Sequence, residues 1–211
     1  MIICEAAQRS EEWFAARRGI PTCSRFDSII TPGKGEPAKA QETLINELIA
    51  ESICPPDQGF IRPTFISPEM EYGMKLEAEA RCSFELEYAG GQPVREVGFA
   101  LHESGLFGGS PDALVGEMSG VEIKCPNAST HVGYIRAGVL PQTYKAQVHG
   151  YLAVTGRSHW WFFSYARNFP PFCIRVGRDD FTAKLEAELY AFAERYNVER
   201  KKFGLPPLGK L

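Results

Sequence analysis

A chain of 211 residues, 44% hydrophobic and 23% charged, has the balance of an ordinary globular protein and excludes a disordered one. Its 23 Lys and Arg against 26 Asp and Glu leave a net charge of −3, which argues against non-specific coating of nucleic acid but leaves room for one local basic channel. No apolar run nears the roughly 20 residues that span a bilayer, and Met1-Ile2-Ile3-Cys4-Glu5 lacks the regions of a secretory leader, so a cytoplasmic protein with no membrane partner is expected.

In chain order, residues 10–18 form a short polar, amphipathic segment that Gly19-Ile20-Pro21 breaks. Ser24 has the character of an N-cap for a helix to about Ile30. Residues 31–37 are a loop rich in Pro and Gly, and a helix over 38–53 follows, with Leu44, Ile45, Leu48 and Ile49 as its apolar stripe. Cys54-Pro55-Pro56 stops it. Ser67-Pro68-Glu69 joins a cap, a proline at the first helical position and an acid in the first turn, and starts a helix to about Tyr88.

From Gln92 to Lys124 the pattern changes to short β-branched and aromatic runs, read as antiparallel strands of one sheet over 94–102, 106–109, 113–115 and 120–125. Helices are expected over 128–137 and 142–154, and strands over 160–165 and 172–176. A last helix over 179–202 carries Phe181, Leu185, Leu189, Phe192 and Tyr196 on one stripe. The expected class is α/β, one domain over residues 1–211 with a central mixed sheet flanked by helices. Six scattered cysteines, Cys4, Cys23, Cys54, Cys82, Cys125 and Cys173, have no C-x-x-C spacing and read as reduced thiols.

The chemistry concentrates in Gly109-Ser110-Pro111-Asp112 and Gly120-Val121-Glu122-Ile123-Lys124-Cys125-Pro126. Glu122 and Lys124 sit two apart in a strand, so they share a face, roughly 6.5–7 Å apart. Val121, Ile123 and Cys125 face the other way, into a core. A carboxylate and an ammonium on a buried face are costly unless paired or used. A hairpin brings Asp112 beside Glu122, and adjacent carboxylates repel unless a divalent cation relieves them; oxygen ligands alone suit Mg²⁺ or Mn²⁺. Lys124 can hold or deprotonate an attacking water, or steady a phosphoryl oxygen. The pattern reads as metal-assisted phosphodiester hydrolysis; the plain alternative is a surface hairpin with an ion pair. Glu-x-Lys by itself is weak, since Glu199-Arg200-Lys201 also matches, in a helix where the two side chains diverge, as a solvated helix end.

Pro111-Asp112, nine residues, then Glu122-x-Lys124 resembles the PD-(D/E)xK nuclease superfamily with its restriction-endonuclease-like fold. The longer run resembles, more narrowly, the lambda-type phage exonucleases of the YqaJ-like viral recombinase family. Arg17-Arg18-Gly19-Ile20-Pro21-Thr22-Cys23-Ser24, Tyr72-Gly73-Met74-Lys75-Leu76-Glu77-Ala78-Glu79-Ala80-Arg81 and Tyr144-Lys145-Ala146-Gln147-Val148 are similar to three further motifs, in the family's order.

The resemblance implies that Asp112, Glu122 and the Ile123 main-chain carbonyl bind two catalytic Mg²⁺ ions, for which Mn²⁺ can substitute. It implies that Lys124 is the catalytic lysine, that Glu77 lies near the metal and that Gln147 orients the site. It also implies that Arg17 and Ser24 hold the 5′-phosphate of the cut strand. The activity implied is 5′-to-3′ digestion of linear duplex DNA, releasing 5′-mononucleotides and leaving a 3′ tail. A ring-shaped homotrimer and a single-strand annealing protein are the partners implied.

For several of these residues the bland reading stands beside the functional one. Glu77 shares a helical stripe with Met70, Gly73, Met74 and Phe84, where pairing with Arg81 is the alternative. Gln147 falls among Tyr144, Val148 and Tyr151, where a core glutamine bonded to backbone is the alternative. Arg18 competes with Arg17 for the phosphate, the Gly19 spacing favouring Arg17. His102, His131, His149 and His159 read as structural or surface groups, and Trp160-Trp161-Phe162-Phe163 as a core strand rather than a base-stacking platform. The alternatives in function are a structure-specific endonuclease on the same scaffold, an iron–sulfur nuclease, for which the cysteine spacing is wrong, and a non-catalytic DNA-end-binding module.

Overall fold

The computed structural model describes residues 1–54 and 68–209, without the side chains of Pro68–Met70, Tyr72 and Met74. The Pro55-Pro56 stop, the Ser67 cap and the Met70 and Met74 members of the Glu77 stripe therefore lie outside the described residues. The described elements run β1 (Ile2–Cys4), α1 (Glu11–Arg17), a 3-10 turn (Cys23–Ser28), α2 (Gln41–Ile53), α3 (Pro68–Glu87), β2 (Val94–Arg95), β3 (Phe99–Leu101), β4 (Gly108–Gly109), β5 (Ala113–Val115) and β6 (Ser119–Lys124). Then come α4 (Ala128–Ala137), α5 (Gln142–Thr155), β7 (His159–Ser164), β8 (Phe172–Gly177) and α6 (Asp180–Lys202). No helix among the described residues is long and apolar enough to cross a membrane.

The central sheet has the order β2-β5-β6-β7-β8. It is antiparallel except for the β6–β7 pair, which is parallel and needs the long α4–α5 crossover that separates those strands. The expectation of one antiparallel sheet over 94–125 is corrected in two respects. The segment 94–102 is two strands, and the second, β3, leaves the central sheet to pair with β1 and β4. Gly98 marks the break: a Cβ there would come within 1.9 Å of the Ala6 carbonyl, so the chain crosses hard against the N-terminal segment instead of continuing beside β5.

Each face of the central sheet has its own core. On one, Ala80 and Phe84 of α3 pack with Val121, Ile123 and Phe163; on the other, Trp160 and Phe162 pack with α2, α5 and α6. The Trp160-Trp161-Phe162-Phe163 run is thus a core strand, with Trp160 stacked on Tyr151 at 4.9 Å. Gly120 makes this possible, since a Cβ there would lie 2.2 Å from the Trp160 ring. The stripes of α2 and α6 are buried as their spacing requires. Burying a Leu, Ile or Phe side chain contributes about 1.5–3 kcal/mol.

Two local expectations are overturned. Ser24 caps no helix: the segment is a 3-10 turn whose N-cap is Thr22, without a side-chain cap bond. Arg200 is not part of a solvated helix end; it is buried, donating to Tyr196 Oη and Ser52 Oγ and from Nε to the Pro206 carbonyl at 2.8 Å. α6 itself begins one residue later than expected, with Asp179 as its N-cap in a capping box with Thr182.

Candidate active site

The β5–β6 hairpin pairs Ala113 with Val121, which sets Asp112 beside the Glu122–Ile123 peptide. The Asp112 Oδ2 atom accepts from the Ile123 N–H at 2.6 Å. Burial pushes the Asp112 carboxyl well above its ordinary value, and the neighbouring Glu122 adds to the rise; Lys124 and the Ile123 N–H oppose it without cancelling it. The two acids thus stand in the electrostatic conflict that a cation relieves.

Glu122 is 1% exposed. Its Oε1 pairs with Lys124 Nζ and accepts from Gln147 Nε2 at 2.7 Å, while its Oε2 is buried with no hydrogen-bond partner among the described residues. An orphaned carboxylate oxygen in a buried site costs about 1–3 kcal/mol or more. That orphan, on a carboxylate whose charge acts on the Asp112 carboxyl, fits an oxygen-seeking divalent ion. Among the described residues no three His, Cys, Asp or Glu side chains converge tightly enough to hold an ion together. An ion here would take the two acids, a main-chain oxygen such as that of Ile123, and water or substrate oxygens.

Lys124 is partly exposed, with its Nζ 5.1 Å from the Tyr144 ring centre. Burial works to lower its ammonium, but Glu122 and Asp112 outweigh burial and raise it above the ordinary lysine value. Gln147 also reaches Tyr151 Oη at 3.2 Å, and that hydroxyl donates to the Ser110 carbonyl at 2.9 Å. Gln147 is therefore held by side chains of the site, not by backbone. Tyr144 and Tyr151 went unassigned in the sequence, although their positions one helical turn either side of Gln147 were a usable signal. Cys125, next in line, is no nucleophile: burial pushes its thiol up to about 12.

A cleft of about 350 Å³ opens over this hairpin, lined by Glu77 and Asp112 together with residues 5–9 and 96–98. Glu77 reaches it from α3, whose Leu76, Ala80 and Phe84 are buried. The Glu77–Arg81 pair is not formed; Arg81 instead binds Glu96 at 2.6 Å. Glu77 has no hydrogen bond or ion pair among the described residues. It shares the cleft with Asp112 without closing into a three-carboxylate cluster.

The Arg17 guanidinium lies 3.9 Å over the Trp13 ring, and the Trp13 indole donates to Gly98 O at 2.8 Å and Ser110 Oγ at 2.9 Å. Arg17 is thereby linked to the residues just before Asp112. Arg18 points elsewhere, donating to the Glu51 and Cys54 carbonyls at the end of α2. Ser24 is exposed in the 3-10 turn, its Oγ 3.4 Å from Thr22 Oγ1. The histidines are occupied locally: His131 bonds Ser164 and Pro170, His149 bonds Thr182, His102 bonds Ser104 and His159 bonds Ser158.

With this geometry in place, residues 12–158 match the YqaJ-like viral recombinase domain. The alkaline exonuclease LHK-Exo from Laribacter hongkongensis is 36% identical, with a TM-score of 0.77 over 92% of this chain and 96% of that one. Its complex with dAMP is similar at 35% identity, TM-score 0.77, over 92% and 98%. A phage-related exonuclease from Haemophilus somnus 129PT shares the fold at 16% identity and TM-score 0.59, over 87% and 96%. None of the curated proteins matches. The mixed sheet with helices on both faces is the PD-(D/E)xK-like fold of these structures.

Proposed function

The chain belongs to the YqaJ-like viral recombinase domain family, and from that premise we propose that it is a Mg²⁺-dependent deoxyribonuclease digesting linear duplex DNA from the 5′ end. The observation that carries the reading is the buried Oε2 of Glu122, unpartnered among the described residues, on a carboxylate whose charge raises Asp112 and whose other oxygen holds Lys124. The similar exonuclease LHK-Exo, seen also in complex with dAMP, supports the substrate class.

Asp112, Glu122 and the Ile123 carbonyl would hold the cations, with Glu77 facing the same cleft. Bound there, divalent ions supply Lewis acidity and neutralise charge developing on the phosphoryl oxygens. Lys124 presents an ammonium at the mouth of the buried pair, where it orients the attacking water and steadies negative charge on the phosphate. Gln147 fixes the Glu122 carboxylate, and Tyr151 fixes Gln147. Arg17, whose guanidinium lies over the Trp13 ring, would meet a 5′-phosphate, with Ser24 as a further donor. Residues 1–211 act as one nuclease domain, a reading supported by a core cluster that joins residues of both sheets.

The same reading expects 5′-mononucleotides, a 3′ tail and a cytoplasmic site of action, host cytoplasm if the gene is a phage's. It also expects a homotrimer encircling DNA and a single-strand annealing protein that takes up the tail. Duplexes labelled at the 5′ or the 3′ end, digested beside a closed circular plasmid, test it. Early Mg²⁺-dependent release of the 5′ label with the circle intact supports the reading. Cutting of the circle assigns the chain to endonucleases, and binding without cutting makes it an end-binding module.

A further inference from the structure

Arg9 occupies a backbone position that calls for glycine. The Ser10 N–H closes a turn onto the Ala7 carbonyl at 3.0 Å, and Arg9, third residue of that turn, has φ of +73°. A positive φ at the third turn position is the province of Gly or Asn. For a long, Cβ-bearing side chain it costs free energy, and such strain collects at functional sites.

The surroundings hold Arg9 in place. Gln8 Nε2 donates to the Val97 and Pro111 carbonyls at 3.1 and 2.9 Å, strapping the turn to the residue before Asp112. Ser10 accepts from Trp13 N–H and so caps α1 on the other side. Gly98 lies flush against Ala6, leaving the segment no room to retreat. The turn is one wall of the cleft floored by Asp112 and Glu77.

Charge in that cleft is unevenly settled. Of its four acids, Glu5 is paired with Arg95 at 2.8 Å and Glu96 with Arg81 at 2.6 Å. Glu77 and Asp112 stay available at the floor. Arg9 is the cationic residue of the lining, exposed and without an ion pair among the described residues. A phosphodiester approaching the floor meets the Glu77 and Asp112 carboxylates, and a guanidinium on the wall offsets their repulsion with two parallel donors.

We propose that Arg9 is a substrate-binding residue that grips a backbone phosphate of the DNA strand next to the one being cut. The inference rests on the nuclease reading of the site and adds to it the turn that lines the same cleft as Glu77. Arg9 is distinct from Arg17, which lies over the Trp13 ring and is the residue read as meeting the 5′-phosphate.

Arg9→Gly suits the turn and so is expected to leave Tm unchanged or higher. Affinity for a short duplex, measured by fluorescence anisotropy in EDTA, is expected to fall about tenfold, and the slope of log K against log salt to fall by about one. In Mg²⁺ the loss is expected in KM more than in kcat. Arg9→Lys is expected to keep the wild-type slope. A well-folded Arg9→Gly protein with wild-type affinity, slope and KM overturns the proposal while leaving the nuclease reading untouched. A wild-type protein that neither binds nor degrades duplex DNA overturns both.

Discussion

Gln147 Nε2 lies 2.7 Å from Oε1 of Glu122, the oxygen that Lys124 also holds, and this leaves the other oxygen, Oε2, unclaimed by any donor among the described residues. The helix glutamine therefore decides which carboxylate oxygen is open to a cation. Gln147→Ala removes that choice and is expected to lower kcat by about 10–100-fold, as loss of a group that orients a metal ligand does. Losing a hydrogen bond to a charged group is also expected to cost about 1.5–3 kcal/mol of stability. Steady-state kinetics and thermal unfolding read the two effects separately.

Lys124→Ala leaves Glu122 without its ammonium. Loss of a group that handles protons and transition-state charge is expected to lower kcat at least ~100-fold. Its Tm in metal-free buffer is expected to fall, because a buried charge has lost its partner. The added substitution Glu122→Gln is expected to restore much of the Tm and none of the activity.

Asp112→Asn separates stability from function. Because burial and Glu122 raise the Asp112 carboxyl in the folded protein, the folded state holds that proton more tightly than the unfolded one. Stability is therefore lost as pH rises from the ordinary value of 3.8 toward the raised one. Metal-free Asp112→Asn is expected to exceed the wild type in Tm at pH 8, by a margin that vanishes near pH 3. Mg²⁺ is expected to raise the Tm of the wild type only.

Glu79 ties α3 to the end of β7: it accepts from Tyr165 Oη at 2.6 Å and from Arg167 Nη2 at 2.6 Å. Arg167 first, then Tyr165, lowers its carboxyl from 4.5 to about 2. The stabilisation is fully present above pH 4.5 and is lost as pH falls through about 2. The Tm gap between wild type and Glu79→Gln is expected to narrow below pH 4.5 and close near pH 2. A gap constant across that range would assign the contact no electrostatic part.

The site was legible where chemistry follows local periodicity. Two-residue spacing alone put Glu122 and Lys124 on one face; helical spacing put Gln147 among Tyr144, Val148 and Tyr151, and only the family resemblance tied it to the site. What stayed hidden depends on distant neighbours. β1 is three residues long and exists because Phe99–Leu101 pairs with it. The burial of Arg200 comes from Ser52 and Pro206, which its own helix does not announce. Nothing in the sequence singles out Arg9, since its unusual φ is imposed by the straps of Gln8 and Ser10.

The central claim is that Asp112, Glu122 and Lys124 form a cation-dependent phosphodiesterase centre. Release of acid-soluble nucleotides from linear duplex DNA, compared for wild type and Asp112→Asn with Mg²⁺ and with EDTA, tests it most directly. The account expects release only from the wild type with Mg²⁺, while Asp112→Asn stays folded and inert. Undiminished release in EDTA, or from the variant, would contradict it.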